Sequence, residues 1–147
     1  MTSPRLPLET VHAVRDSCLC LHAQRAARAL ARRFDAAFRR VGLTQGQFSL
    51  MMALSAPTPP TLGEVAALLA MDRTTLTAAL KALDRRGFVS IRRDEADGRA
   101  RRLSLTDAGR ARIVEAAQIW RSEHAALEAE IASVDATALR AMLRAIA

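Results

Sequence analysis

Every proline in this chain lies at or before position 60: Pro4, Pro7, Pro57, Pro59 and Pro60. Proline lacks an amide proton and clashes with the preceding turn of a helix, so residues 61–147 are free to form unbroken regular structure. The Ala-Pro-Thr-Pro-Pro stretch at 56–60 is the one clear internal break. On either side of it, glycines, capping residues and the hydrophobic period decide the elements.

Before the break, Leu19, Ala23, Ala26, Leu30, Phe34, Ala37 and Val41 recur at spacings of three and four, which predicts a long helix ending at Gly42. So long a helix in a chain of 147 residues needs an equally long surface, either a partner subunit or its own C-terminal helix. Thr44-Gln45-Gly46-Gln47 reads as a capping box with Leu43 and Phe48 placed as its hydrophobic staple, and Thr61-Leu62-Gly63-Glu64 reads as a second box. The short helix after Thr61 runs out near Ala70. Asp72 then caps a helix whose buried row is Leu76, Leu80 and Leu83, stopped by Gly87.

At Phe88 the period changes from helical to alternating. Phe88-Val89-Ser90-Ile91-Arg92 and Arg101-Arg102-Leu103-Ser104-Leu105 predict two strands, with Asp97-Gly98 as the hairpin turn pair. Thr106-Asp107 opens a long helix through Trp120 toward Ile131, and a last helix runs from about Asp135 to Ile146 with Leu139, Met142, Leu143 and Ile146 on its apolar face. The fold class is mainly α with a small β-hairpin wing.

Composition excludes several functions. No apolar run reaches the roughly 18 residues that span a bilayer, and the N-terminus lacks a signal-peptide pattern, so a cytoplasmic protein with no membrane role is expected. Cys18 and Cys20 are too few for a disulfide framework, and His12, His22 and His124 form no metal motif, so neither metal nor cofactor is expected. No Ser/His/Asp, Cys/His or paired-carboxylate spacing suggests an enzyme, and a Gly-rich phosphate loop is absent. The net charge of +7 is weak evidence by itself, since 21 of 22 basic residues are Arg in an Ala-rich chain, a skew that coding bias explains. Position says more: seven Arg gather within 85–102.

Helix, tight turn at Met71-Asp72, second helix and basic hairpin form the winged helix-turn-helix order. With Leu76, Leu80 and Leu83 inward, the second helix turns Thr74, Thr77, Ala78 and Lys81 outward, with Arg73 at its start. Short hydroxyl side chains let a helix backbone approach base edges and thymine methyls, and Arg bonds guanine or phosphate. An Arg at a hairpin tip suits a narrow minor groove. The candidate DNA-binding residues are therefore Arg73, Thr74, Thr75, Thr77, Lys81, Arg99 and Arg101. Arg28, Arg32, Arg33, Arg39 and Arg40 read as a solvated helix face, and Trp120 as packing in the dimer region.

Asp97-Gly98-Arg99 followed by Leu105-Thr106 and Gly109 resembles the wing signature of the multiple-antibiotic-resistance regulators, the MarR family. Met71-Asp72-Arg73-Thr74-Thr75-Leu76-Thr77 is similar to that family's recognition-helix start, and Gly42-Leu43-Thr44 with Gln47-Phe48 to its first junction. The resemblance implies a homodimer on a double-stranded, pseudo-palindromic DNA operator, acting as a repressor released by a small-molecule effector. It implies residues 1–43 as an N-terminal dimerisation region, 44–106 as the DNA-binding lobe and 107–147 as C-terminal dimerisation helices. Arg99 would be the minor-groove Arg and Asp97 its orienting partner.

An alternative within the same family is a thiol-based sensor of the organic-hydroperoxide type, using Cys20 or Cys18. A thiol near a helix N-terminus is drawn toward the reactive thiolate, and Cys20 lies close to where that branch carries its Cys. If both cysteines are helical they point away from each other and cannot bridge within one chain. The tyrosines that bond the Cys in that branch are replaced here by Gln24, Phe34 and Gln45.

Overall fold

A computed structural model describes residues 3–147. They fall into two compact units, one ending at Arg33 and one spanning Phe34–Ala147.

The first unit opens on a helix that the sequence pattern did not predict, α1 (Leu8–Ser17). The carbonyl of Pro7 accepts the amides of Thr10 and Val11, so the proline starts the helix, where its missing N–H does no harm. Cys18 leaves helical geometry (ψ 107°) and ends α1 before α2 (Leu19–Phe38) begins. The two cysteines are therefore not both helical: Cys18 sits at the break and Cys20 in the first turn of α2. Leu8, Val11, Val14 and Leu19 are all exposed.

In the second unit, α2 tightens into a 3₁₀ turn (Arg39–Val41) that Gly42 closes at φ 65°, a left-handed conformation that glycine adopts without strain. Both expected capping boxes are formed. Thr44 and Gln47 open α3 (Gln45–Ala53), and Thr61 and Glu64 open α4 (Leu62–Leu69). Asp35 on α2 adds a bond to the Gln45 amide at 2.6 Å, tying the end of one helix to the start of the next. α4 ends on Ala70, a non-glycine residue held left-handed at φ 50°. Asp72 caps α5 (Arg73–Arg85).

The strands β1 (Val89–Arg93) and β2 (Arg101–Leu105) pair antiparallel, with Val89 opposite Leu105 and Ile91 opposite Leu103. Two details differ from the sequence reading. β1 begins one residue later, because Phe88 lies in the turn after Gly87 and is buried there. The tip is a seven-residue loop, 94–100, rather than a two-residue Asp97-Gly98 turn. Gly98 does not take positive φ; a turn bond from the Ala100 amide to the Asp97 carbonyl (2.9 Å) and a bond from the Asp94 amide to the Ala100 carbonyl (3.0 Å) shape the loop instead.

Thr106 caps α6 (Asp107–Glu130), and its hydroxyl donates to the Gly87 carbonyl at 2.6 Å. The Leu105-Thr106 and Gly109 spacing has a steric cause: a Cβ at Gly109 would fall on the Phe88 carbonyl oxygen, so only glycine lets α6 cross that turn so closely. The core joins Phe38 of α2, Leu50 and Met51 of α3, Val65 of α4, Leu76, Leu80 and Leu83 of α5, and Leu103 of β2. Burying each such side chain contributes about 1.5–3 kcal/mol. α7 (Ala136–Ile146) follows its Asp135 cap and buries no residue; Met142 and Ile146 are exposed. Among the described residues no helix is long and apolar enough to cross a membrane.

Candidate nucleic-acid interface

α4, the bend at Ala70-Met71 and α5 form the helix-turn-helix. The bend is tight because the Ala70 amide bonds the Ala67 carbonyl at 3.2 Å and the Met71 amide bonds the Ala66 carbonyl at 2.9 Å. Asp72 then accepts both the amide of Thr75 (2.8 Å) and its hydroxyl (2.6 Å), and these bonds, the hydroxyl's first, hold the Asp72 carboxyl below the usual carboxylate range. With Leu76, Leu80 and Leu83 buried, the opposite face carries Arg73, Thr74, Thr77, Ala78 and Lys81 around a shallow concavity of about 410 Å³. Four of the five helix residues singled out from sequence thus share one surface. Thr75 stands apart, with its polar groups committed to the cap.

The hairpin is stitched to the segment before α4. The Leu103 amide donates to the Pro60 carbonyl (3.0 Å), Thr61 bridges to Arg102, and the Arg102 guanidinium donates to the Pro59 carbonyl (3.0 Å) and to Asp94 (2.6 Å). The Ala96 amide and then Arg102 hold the Asp94 carboxyl below its ordinary range. A rigid base therefore presents the tip. Asp97 accepts the Arg99 amide at 3.0 Å, so it engages the backbone of Arg99 rather than its guanidinium.

Arg99 and Arg101 meet Arg73 across a cleft of about 300 Å³ that also takes in Thr61, Leu62, Gly63, Ala100 and one carboxylate, Asp97. Arg73 lies over the first turn of α4, where a Cβ at Gly63 would be 3.4 Å from its guanidinium, an ordinary contact. None of these three Arg forms a salt bridge among the described residues, and Leu62 and Gly63 of the first turn of α4 line the same cleft. Three cations beside a helix N-terminus form an anion-attracting surface.

Arg86 of the 85–102 cluster, and Arg112 beyond it, have structural employment that the sequence did not distinguish. Arg86 donates to the Gly42 carbonyl (2.7 Å) and to Gln47 (3.2 Å) and lies over the Phe88 ring at 4.8 Å. Arg112 approaches the same ring at 5.5 Å and donates to the Val41 carbonyl at 2.6 Å. Phe88 with its two Arg therefore locks the 3₁₀ turn to the end of α5 and to α6, and pairs this far apart in sequence leave no local signal.

Two features lie away from this face. Phe48, Met52, Leu68, Leu69 and Trp120 line an apolar concavity of about 410 Å³ between α3, α4 and α6, with no charged residue in its wall. In the first unit, the Cys18 sulfur accepts the Leu21 amide (3.4 Å), while Cys20 is exposed and accepts from the Gln24 side chain (3.2 Å), which in turn accepts from Arg28 (2.9 Å).

Comparison with known proteins fits this geometry. The sequence model of the MarR family matches residues 41–100, from the 3₁₀ turn through the wing loop. The M. tuberculosis transcriptional regulator MosR, solved in complex with DNA, is 37% identical over 88% of this chain and 93% of its own, with a TM-score of 0.79. The chain belongs to the MarR family. Within that family it is also similar to the transcriptional repressor CouR, solved on a 23-mer DNA duplex, at 28% identity over 97% of this chain and 99% of that one, with a TM-score of 0.80. The transcriptional activatory protein BadR of Rhodopseudomonas palustris is 36% identical over 72 residues, a match that takes in 47% of this chain and 41% of BadR.

Proposed function

We propose that this MarR-family chain is a cytoplasmic transcriptional repressor that binds a pseudo-palindromic double-stranded operator as a homodimer and releases it when a small molecule binds. The observation that carries the reading is the continuous surface formed by the outward face of α5 and the cleft between Arg73, Arg99 and Arg101. The face is a helix with small side chains that a major groove accepts, and the cleft beside it carries three Arg suited to the flanking phosphates and minor groove. In this reading Thr74, Thr77 and Lys81 meet base edges, Arg73 and Arg101 meet phosphate, and Arg99 enters the minor groove, its backbone set by Asp97. Thr75 holds the helix start. Both MosR and CouR were solved on DNA, and the match over 99% of CouR supports repression over the activation named for BadR.

Residues 1–43 and 107–147 serve as the dimerisation regions around the DNA-binding lobe at 44–106. Exposed Leu8, Val11, Val14 and Leu19 in the first unit, and separately Met142 and Ile146 in the second, are apolar residues a partner subunit would cover. The concavity of Phe48, Met52, Leu68, Leu69 and Trp120 is the effector site. Its uncharged wall suits an apolar or aromatic molecule, and by preferring one spacing of the lobes such a ligand would draw the dimer away from the DNA-bound arrangement.

Sedimentation and a salt titration of duplex binding test this reading. A dimer whose log affinity falls linearly with log salt is expected, and a monomer with salt-independent binding overturns it. A second reading makes an oxidant the inducer, and the exposed Cys20 beside Gln24 favours it. Peroxide treatment of wild type and Cys20→Ser in a gel shift decides it, since equal release from both proteins ends that reading.

A further inference from the structure

The three threonines of α5 look interchangeable in sequence, yet their hydroxyl protons have different destinations. That of Thr75 goes to the Asp72 carboxylate. That of Thr77 goes back along the helix to the Arg73 carbonyl at 2.7 Å. The Thr74 hydroxyl has no hydrogen-bond partner among the described residues, its backbone amide alone reaching toward Asp72.

A threonine hydroxyl has one proton and two lone pairs. With its proton held by Arg73, Thr77 offers the concavity it shares with Arg73, Thr74, Ala78 and Lys81 only lone pairs and a methyl group. The charged side chains around it, Arg73 and Lys81, carry donors alone. We infer that Thr77 is a specificity-determining residue that accepts a hydrogen bond from an exocyclic base amine, N6 of adenine or N4 of cytosine. This rests on the DNA-binding reading above and adds the polarity of one contact.

Guanine O6 and N7 and thymine O4 are acceptors. Opposite Thr77 they would meet a lone pair, or would require the hydroxyl to abandon the 2.7 Å bond to the Arg73 carbonyl. Thr74, whose hydroxyl is uncommitted, can donate or accept and so discriminates less. A single neutral hydrogen bond set against a mismatched acceptor corresponds to roughly a 3- to 10-fold preference.

In vitro selection followed by competition binding with the full chain tests this, using wild type, Thr77→Val, Thr77→Ser and Thr74→Val. Valine keeps the branched shape and methyl contact but has no acceptor; serine keeps the hydroxyl. Expected is one base pair per half-site at which wild type shows an about 3- to 10-fold preference that Thr77→Val loses, that Thr77→Ser and Thr74→Val retain, and that disappears when the contacted base lacks its exocyclic amine, as with purine in place of adenine or pyrimidin-2-one in place of cytosine. An unchanged Thr77→Val profile, with salt-dependent DNA binding intact, overturns the inference and leaves the DNA-binding reading standing. So does a wild-type preference that persists after the exocyclic amines at the position Thr77→Val alters have been removed. Failure of wild type to bind any duplex overturns both.

Discussion

Alanine in place of glycine should have opposite effects at Gly46 and Gly109, although both lie in the first turn of a helix and neither has positive φ. At Gly46 the nearest atom to a new Cβ is the Thr44 hydroxyl, 4.0 Å away, so only the backbone entropy of the unfolded chain changes and alanine should stabilise by about 0.5–1 kcal/mol. At Gly109 the same gain is opposed by the Phe88 carbonyl, which a Cβ would strike and which also accepts the Thr106 amide at 3.1 Å. Backbone rather than a flexible side chain must yield. An overpacking cost of about 1–3 kcal/mol, with about 1 kcal/mol more for the strained Thr106 bond, outweighs the entropy gain. Thermal melts followed by circular dichroism at matched protein concentration would check this, since about 2–4 °C per kcal/mol is expected for a chain of this size. Gly46→Ala should melt about 1–4 °C higher than wild type, and Gly109→Ala several degrees lower. A Gly109→Ala protein as stable as Gly46→Ala would refute the steric account of the wing signature.

Ala70→Gly, which relieves the left-handed residue between α4 and α5, should raise stability by up to about 1 kcal/mol in denaturant titration. Arg99→Ala should weaken duplex binding and reduce the slope of log affinity against log salt by about 1, and an unchanged slope would remove Arg99 from the interface. The Asp72 carboxyl is depressed in the folded state, so the stability it adds is present above its ordinary unfolded value near about 4 and is lost as pH falls through the lowered folded value. Asparagine still caps but does not titrate. Comparing urea midpoints of wild type and Asp72→Asn from neutral to acid pH should therefore show wild type falling more steeply, and parallel curves would contradict this.

Most of the fold was legible because its signals are local. Thr44 with Gln47, Thr61 with Glu64, Asp72 and Thr106 each announce a helix through a hydroxyl or carboxylate bonding an amide two or three residues on. Leu76, Leu80 and Leu83 announce a buried face by spacing alone. What stayed illegible depends on pairs distant in the chain. Nothing near Arg102 says that it braces Pro59 and Asp94 rather than facing a partner, nor near Arg86 and Arg112 that they grip Phe88 and the carbonyls of the 3₁₀ turn. α1 was passed over because Pro7 reads as a breaker when it is a starter. The Asp97-Gly98 pair suggests a two-residue turn, but the loop is closed instead by the backbone bonds of Asp94 with Ala100 and Ala100 with Asp97.

In vitro selection of duplexes from a random library, with the intact chain at near-physiological salt, tests the central claim most directly. Two α5 faces and two Arg99 wings on one dimer predict an inverted repeat whose half-sites are centred about one helical turn apart, roughly 10 bp, with narrow-groove A·T steps beside each half-site. Recovery of unrelated sequences, or of single half-sites with no fixed spacing, would contradict it.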